Sequence, residues 1–409
     1  MALPLNGMTV LDLSRLLPGP VCSLHLQDMG ARVIKIEDTG AGDYIRTLGM
    51  PAGMISPVFH ILNRGKESVS LDLTAADGHN LLLKLVAQAD IVLESFRPGV
   101  MRKLGLDYAH LRRVNPGLVM CSITGFGQTG PWSQKAGHDM NYCAISGVLE
   151  QMGNAGEAPA LGNFQIADLA GGALSAAMSI LAAVIGSLRH GEGSYLDISM
   201  TDCTFANHII PLAQLNISGK TPPRGQDMLT GVRPCYSLYE TADKRYMALA
   251  ALEKKFWDQA CVILGCPDWQ ARYYDTGKQA DALKTEVAAL FATQPQHYWR
   301  ELFADSDCCV TAVLTPAEAF EHPQLMAREM ITQLTLSAQQ TLQIPSPVFS
   351  FNGEKAHVNN AGPAQGEHTL SVLRSLGLHE TQISAWLEQG IIRQSNDSIM
   401  TDNNKEQSL

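Results

Sequence analysis

The feature that most constrains the fold is an alternation of short β-branched runs with helical patterns through the first 126 residues. Strands that alternate with helices are typical of a parallel α/β sheet. The sequence therefore predicts a Rossmann-like large domain. Its predicted strands lie at 8–14, 31–37, 68–73, 90–96 and 118–127, and apolar residues at helical spacing cover 19–29 and 75–89.

A chain of 409 residues is long enough for two domains. A Pro- and Gly-rich stretch at 218–231 breaks the periodicity and indicates a linker. Beyond it, short strands and helices predict a smaller, mixed α+β domain. We expect the large domain over 1–217, the linker over 218–233, the small domain over 234–332, a return to the large domain over 333–394 and a disordered tail over 395–409.

Charge and composition exclude some classes of partner. The formal net charge is -10, from 40 acidic and 30 basic residues, which argues against nucleic acid or anionic membrane as a partner. Residues 169–186 carry no charge and reach the lower limit of a membrane span. Their Gly, Ala and Ser content favours a closely packed internal helix instead.

The nine cysteines form no CxxC pair and no zinc-like spacing. Reduced thiols in the cytoplasm are the simplest interpretation, and no metal site is predicted. The first residues lack the basic and apolar segments of a signal peptide.

Basic residues at predicted strand ends could meet an anionic ligand. The first strand-to-helix turn, SRLLPGP at 14–20, lacks the glycine fingerprint of dinucleotide-binding folds, so NAD is not expected. What remains is Arg15, Arg64, Lys66 and Arg97, beside helix amides that could face an anion. Taken singly, such residues are more often solvated surface groups.

Three further residues could carry acid–base or nucleophilic chemistry. Asp168 precedes a Gly- and Ala-rich helix, where it could be a reactive carboxylate or an ordinary N-cap. His138 is flanked by Asp139 and could titrate near neutral pH, and Glu253 could be an ordinary first-turn helix carboxylate. The residues alone do not join these three into one site.

Four segments resemble one known family closely: LDLSRLLPGPVCSLHLQDMGARVIKIE, LVMCSITGFGQTGPW, IADLAGGALSAAMSILAA and GEGSYLDISMTD. They are similar to the class III CoA transferases of the CaiB/BaiF type. Within that superfamily, AGHDMNYCAISGVL, PRGQDMLTG and LYETADKRYMALAALEKKFW look most like the α-methylacyl-CoA racemase branch. The resemblance covers most of residues 5–330.

The resemblance implies roles for individual residues. Asp168 matches the catalytic aspartate, and His138 and Glu253 match the histidine and second carboxylate of the racemases. No cofactor is permanently bound, and coenzyme A is part of the substrate. The predicted CoA contacts are Arg15, Leu16, Leu71, Asp72, Leu73, Thr74, Arg97, Gly137, Asp139 and Tyr142. Position 38, where the family usually has an arginine, is Asp here.

The resemblance also implies an interlocked homodimer. In such a dimer His138 and Asp168 come from one chain and Glu253 comes from the other. A site of that kind suits a large acyl-CoA substrate. Guesses for the lining of its acyl pocket are Met140, Phe164, Met228 and Leu229, and the acyl group itself is not indicated.

Three activities remain open at this stage. In a racemase, His138 and Asp168 would be two bases that exchange the α-proton of a 2-methylacyl-CoA, with Glu253 orienting the histidine. In a CoA transferase, Asp168 would attack the thioester and become an aspartyl-CoA thioester. A catalytically silent CoA-binding protein is the third. No glycine-rich run occurs at 240–270, and this, with the histidine and glutamate, favours the racemase.

Overall fold

The chain folds into two units in the computed structural model, which describes residues 3–51, 54–337, 340–358 and 360–395. The first unit consists of Met1–Ser146, Phe164–Asn207 and Ala327–Leu409, and the second consists of Gly147–Asn163 and His208–Met326. The domain boundaries expected from the sequence stay a prediction. The tail expected over 395–409 lies, from residue 396 onward, outside the described residues.

The first unit is built on a seven-stranded sheet whose order is β12-β3-β2-β1-β4-β5-β6. All neighbouring strands are parallel except β12, which pairs antiparallel with β3. The parallel-dominated α/β sheet expected from the sequence is therefore present. The strands are β1 (Thr9–Asp12), β2 (Arg32–Glu37), β3 (Glu67–Leu71), β4 (Ile91–Glu94), β5 (Val119–Thr124), β6 (Tyr195–Ser199) and β12 (Ile392–Arg393).

Helices of the first unit pack on both faces of this sheet, as buried parallel strands require. They are α1 (Pro18–Asp28), α2 (Pro57–Asn63), α3 (Ala76–Val86), α4 (Val100–Lys103), α5 (Tyr108–Val114), α6 (Asp139–Ile145), α7 (Ser175–His190), α8 (Met200–Asn207), α15 (Thr369–Ser375) and α16 (Glu380–Glu388). A π-helical segment, Ala167–Leu174, leads directly into α7.

The two faces of the sheet have different partners. Leu11 and Met120 belong to a hydrophobic core together with residues of α3, α5, α15 and α16. The next residue along β1, Asp12, accepts a hydrogen bond from Ser23 of α1, so α1 covers the other face. The π-helical segment packs on α1, α7 and α8 and so lies on the α1 face.

The strand order reverses at β1, whose neighbours are β2 and β4. In open α/β sheets, ligands bind in the crevice outside the carboxyl ends of the strands at such a switch point. The segments that follow β1 and β4 are therefore the expected place for a ligand.

A buried charge cluster holds the turn that follows β1. Asp12 pairs with Lys66 at 3.3 Å, and Lys35 pairs with Asp43 at 2.8 Å, with all four side chains inaccessible to solvent. The Lys35 Nζ also donates to the carbonyl oxygen of Ser14 at 2.9 Å. Because breaking a buried ion pair leaves an uncompensated charge, the cluster fixes the position of this turn.

One helical stretch in the described residues, Ala167–His190, is long and apolar enough to cross a membrane by length and composition alone. Ile180 and Val184 on one side of it are buried in the first unit. Met178 and Ile185, on the opposite side, are 69% and 51% exposed. The close internal packing expected for this helix therefore holds for one side only.

The second unit has a three-stranded antiparallel sheet with a separate hydrophobic core, which agrees with the mixed α+β character expected for the smaller domain. Its strands are β7 (Tyr236–Glu240), β8 (Tyr246–Ala250) and β9 (Val310–Ala312). Its helices are α9 (Ile209–Ser218), α10 (Lys254–Ile263), α11 (Gly277–Phe291), α12 (Gln296–Leu302) and α13 (Pro316–Phe320), with α14 (Pro323–Ala327) at its end. A hairpin of β10 (Ile331–Ser337) and β11 (Gln340–Pro345) belongs to the first unit.

Candidate active site

Asp168 is the second residue of the π-helical segment, not the N-cap, which is Ile166. Small residues allow this wide turn to pack closely. A Cβ on Gly171 would come within 2.6 Å of the Thr204 hydroxyl, and one on Gly172 would come within 3.1 Å of Pro18. Because π-helical turns occur often at functional sites, this placement supports a chemical role for Asp168.

The side chain of Asp139 clamps the backbone beside Asp168. Its Oδ1 accepts hydrogen bonds from the amides of Ala167, at 2.7 Å, and Asp168, at 3.0 Å. Asp139 is also the first residue of α6, and His138 is the N-cap of that helix. The clamp therefore brings the segment that carries His138 to the segment that carries Asp168.

Burial, together with the charge of Asp139, raises the pKa of Asp168 from 3.8 to about 6. Desolvation disfavours the charged form of a carboxyl group, and a second carboxylate nearby disfavours it further. At neutral pH, Asp168 is therefore mostly ionised and is a stronger base than an ordinary aspartate.

Gly137 and Tyr142 complete this corner of the first unit. A Cβ at Gly137 would lie 2.7 Å from the Tyr142 ring, so only glycine fits there. The Tyr142 hydroxyl donates to the Gly137 carbonyl oxygen, and burial raises the pKa of Tyr142 to about 12, with a further contribution from Asp168 and Asp139. The structure thus places Gly137, Asp139 and Tyr142 beside Asp168.

Two of the predicted contacts, Arg15 and Leu16, lie at the switch point of the sheet. The Arg15 amide donates to Ser95 Oγ, on the segment after β4, at 3.2 Å. Leu16 has φ +64°, a left-handed conformation that costs a non-glycine residue about 1–2 kcal/mol. Asp43 compensates by accepting the Leu16 amide at 3.1 Å.

The aspartate at position 38 is the ion-pair partner of Arg15. The Arg15 guanidinium donates to Asp38 at 2.7 Å and to the Tyr44 hydroxyl at 3.2 Å, and it lies 5.9 Å from the centre of the Phe96 ring. Asp38 is itself held by the Gly40 amide at 2.8 Å. A fixed guanidinium therefore stands at the carboxyl edge of the sheet.

The other strand-end residues differ in what they offer a ligand. Arg64 is buried in a bidentate pair with Asp28, and Lys66 is buried in the charge cluster, so neither is free to meet an anion. Arg97 is exposed on the segment after β4 and lies within electrostatic reach of Tyr142.

The stretch after β3 is a short polar turn. Asp72 accepts hydrogen bonds from the Thr74 amide at 2.9 Å and from the Thr74 hydroxyl at 2.6 Å. The Leu71 side chain is fully buried and Leu73 packs on the core, so the predicted contacts at these two residues concern the backbone. Ser70 donates to the Asp38 carbonyl oxygen at 2.8 Å, which places this turn near Asp38.

Glu253 belongs to the second unit, where it is exposed and forms the N-cap of α10. Met228 and Leu229 belong to the same unit, whereas Met140 and Phe164 are exposed in the first. Within the ranges that the structure describes, no group of three or more His, Cys, Asp or Glu side chains could hold a metal ion.

The fold is thus an α/β protein with a carboxyl group of raised pKa beside its parallel sheet and a fixed guanidinium at the switch point, an arrangement that suits an anionic ligand. Residues 5–369 match the model of CoA-transferase family III, so the chain belongs to that family. The family assignment made from the sequence is confirmed. Members of the family are enzymes that act on CoA thioesters.

Curated relatives fall on both sides of the open question about activity. Human alpha-methylacyl-CoA racemase is 34% identical over 379 residues, which are 93% of this chain and 95% of the relative. Succinate–glutarate CoA-transferase of Agrobacterium fabrum is also 34% identical, over 393 residues, 91% of this chain and 96% of the relative. Similarity alone therefore does not separate racemase from transferase.

The fold is similar to solved structures of the same family. A CAIB/BAIF family protein from Brucella suis superposes with a TM-score of 0.80 at 29% identity, covering 92% of this chain and all of that one.

Proposed function

We propose that the protein is a racemase or epimerase of 2-methylacyl-CoA thioesters that works by exchange of the α-proton. The observation that carries this proposal is the clamp by which Asp139 holds the Asp168 amide next to the segment of His138. A general base works best when its pKa lies near the operating pH, and a pKa of about 6 suits Asp168 to that role.

In the proposed mechanism, the thioester carbonyl acidifies the α-hydrogen, and His138 and Asp168 act on opposite faces of the enolate plane. One of these two residues removes the α-proton, and the other gives a proton to the opposite face. Before and after each turnover, His138 and Asp168 therefore share one proton between them. The enolate oxygen needs a hydrogen-bond donor already in place. The Asp168 amide is occupied by Asp139, so we assign this role to the amide of Asp139.

The CoA part of the substrate is proposed to lie along the carboxyl edge of the sheet. Arg15 and Arg97 would bind its phosphates, and the backbone of 71–74 would contact the nucleotide. Arg15 thus takes the place of the arginine that the family usually has at position 38.

We further propose a cytoplasmic, interlocked homodimer. In this arrangement Glu253 of the partner subunit would orient His138. The resemblance of residues 238–257 to the racemase branch supports this assignment.

A CoA transferase is the second candidate, favoured by the 34% identity to succinate–glutarate CoA-transferase. Here the Asp168 carboxylate would attack the thioester carbonyl and expel the CoA thiolate, which leaves an acyl-aspartyl anhydride. The thiolate would then attack the aspartyl carbonyl, releasing the acyl carboxylate and leaving an aspartyl-CoA thioester. An acceptor carboxylate would reverse both steps.

Chiral chromatography of an enantiopure 2-methylacyl-CoA, incubated with and without succinate or glutarate, tests the choice. Racemisation without any added acid supports the racemase. CoA transfer that requires the acid, with the remaining substrate still enantiopure, supports the transferase. If neither occurs and CoA still binds, the silent CoA-binding protein becomes the better account.

Arg15→Ala is expected to weaken CoA binding by about 10- to 100-fold, because a hydrogen bond to a charged group contributes about 1.5–3 kcal/mol. Asp38→Asn is expected to bind CoA at least as tightly as the wild type, since it removes a carboxylate that competes for Arg15. Isothermal titration with CoA measures both.

The control for this titration is Arg32→Ala. Arg32 pairs with Glu67 at the opposite end of β2 from Arg15 and Asp38. Its substitution is therefore expected to leave the affinity for CoA unchanged. Equal affinities for the wild type and Arg15→Ala would contradict the placement of the phosphates at Arg15.

A further inference from the structure

A cavity of about 470 Å³ lies in the first unit, and of the residues that line it only Arg97 has a role in the proposed function. Its floor includes Met120 and Ser122 of β5 and Glu94 of β4. Met120 belongs to the core on the α3 and α5 side, and Ser122, two residues further along the strand, faces the same side. The cavity therefore opens on the sheet face opposite to the π-helical segment that carries Asp168.

The floor holds a buried acid in a hydrogen-bonded chain. The Tyr195 hydroxyl donates to Ser122 Oγ at 3.1 Å, and the Ser122 hydroxyl donates to the Glu94 carboxyl group. Glu94 is 3% exposed, and its Oε2 accepts the Phe96 amide at 2.7 Å. Burial raises the pKa of Glu94 to about 7, so near neutral pH its protonated form, which can donate a hydrogen bond to a ligand, is populated.

The other polar groups of the cavity are mostly unused donors. The Gln128 Nε2 is buried without a hydrogen-bond partner. Among the described residues, the guanidinium group of Arg102 forms neither an ion pair nor a hydrogen bond. The acid on the rim, Asp107, is already engaged by the Ala109 amide and by His110. Unused donors beside a protonated acid favour an anionic ligand.

One wall of the cavity is aromatic. The rings of Tyr108 and Tyr195 stack with their centroids 5.8 Å apart, and Met101 and Met120 add apolar surface. This wall suits a ring or another flat apolar group, which inorganic phosphate lacks.

We propose that this cavity is a binding site for a small aromatic carboxylate, distinct from the Asp168 site. The ligand carboxylate would accept hydrogen bonds from Arg102, Gln128 and the protonated Glu94, and its ring would lie against the two tyrosines. Recognition of a carboxylate by a carboxylic acid makes binding take up a proton.

The pH dependence follows from the groups around Glu94. They are Asp197 of β6, Arg97 and Arg102 beyond β4, Asp107 and Tyr108 at the start of α5, and Tyr195. Above pH 7 the affinity is expected to fall about tenfold per pH unit, because Glu94 must regain its proton when the ligand binds.

Saturation-transfer NMR with benzoate as the probe, on the full chain, tests the proposal, with benzamide as the uncharged analogue. We expect benzoate to bind and benzamide to bind at least tenfold more weakly. Arg102→Gln should weaken benzoate at least tenfold, whereas Arg113→Gln, an exposed residue of α5 outside the cavity, should not. Glu94→Gln should remove the pH dependence, and it keeps an oxygen for the Phe96 amide.

Four results would overturn the proposal. The first is that the wild type shows no detectable benzoate binding, and the second is that CoA displaces benzoate. The third is that inorganic phosphate competes for the site as strongly as benzoate does. The fourth is that Arg102→Gln binds benzoate as tightly as the wild type. Displacement by CoA would show that the cavity is part of the CoA site, which Arg97 borders. The proposed function uses none of Glu94, Arg102 and Gln128. A negative result in the benzoate experiments would therefore leave the racemase proposal unchanged.

Discussion

Asp168→Asn is expected to lower kcat/KM for α-proton exchange by at least about 10³-fold, because the amide can neither remove nor return the proton. The substitution keeps the size of the side chain, and Asp139 holds residue 168 through its backbone amide, which the substitution leaves in place. The affinity for CoA should therefore stay within about threefold of the wild type. Steady-state racemisation rates and titration with CoA measure the two quantities.

The control for this substitution is Asp202→Asn. Asp202 is an exposed carboxylate of α8, and its loss should leave both quantities unchanged. An Asp168→Asn protein that keeps more than a tenth of the wild-type exchange rate would remove Asp168 from the mechanism.

Asp139→Ala is expected to lower kcat/KM for the same reaction by about 10²-fold. The substitution removes both hydrogen bonds that hold the amides of Ala167 and Asp168, and a displacement of about 1 Å in a catalytic group can cost this much. Asp139→Asn keeps an acceptor oxygen for these amides, so its rate at the pH optimum should stay within about tenfold of the wild type.

The pH profile of Asp139→Asn separates the charge of Asp139 from its hydrogen bonds. Exchange requires one proton on the pair of His138 and Asp168, so activity is lost at low pH when both are protonated. The negative charge of Asp139 contributes to raising the pKa of Asp168 to about 6. Removing that charge favours ionised Asp168, so the acidic limb should move to lower pH. An acidic limb that stays in place would show that Asp139 acts through its hydrogen bonds alone.

The sheet was predictable because its signals are local. Each of the five predicted runs overlaps a strand, and β2 and β5 are buried along nearly their whole length, as expected for strands covered on both faces. The helical spacing at 19–29 and 75–89 likewise corresponds to α1 and α3. Boundaries were less exact, since β3 is Glu67–Leu71 whereas its run was expected over 68–73.

The contacts that define the site were not predictable from local patterns. Asp139 meets the Asp168 amide across 29 positions of sequence, and neither the π-helical turn nor this contact has a local signature. The pairing of Arg15 with Asp38 had a usable signal that was missed. β1 and β2 are parallel neighbours, so opposite charges just beyond their carboxyl ends can meet, as Arg15 and Asp38 do.

Domain composition shows the same limit. Residues 147–163 belong to the second unit although they precede the helix of Asp168 in the sequence. The cavity at Glu94 is lined by residues from three strands, two helices and the loops that follow β4 and β5, which no single segment reveals.

The most direct test of two-base exchange is mass spectrometry of a 2-methylacyl-CoA incubated in D₂O without any acceptor acid. The wild type is expected to incorporate one deuterium at the α-carbon, and His138→Ala and Asp168→Asn are expected to lose this activity. No incorporation by the wild type, together with Asp168-dependent movement of CoA to an added carboxylic acid, would contradict the racemase and identify a CoA transferase.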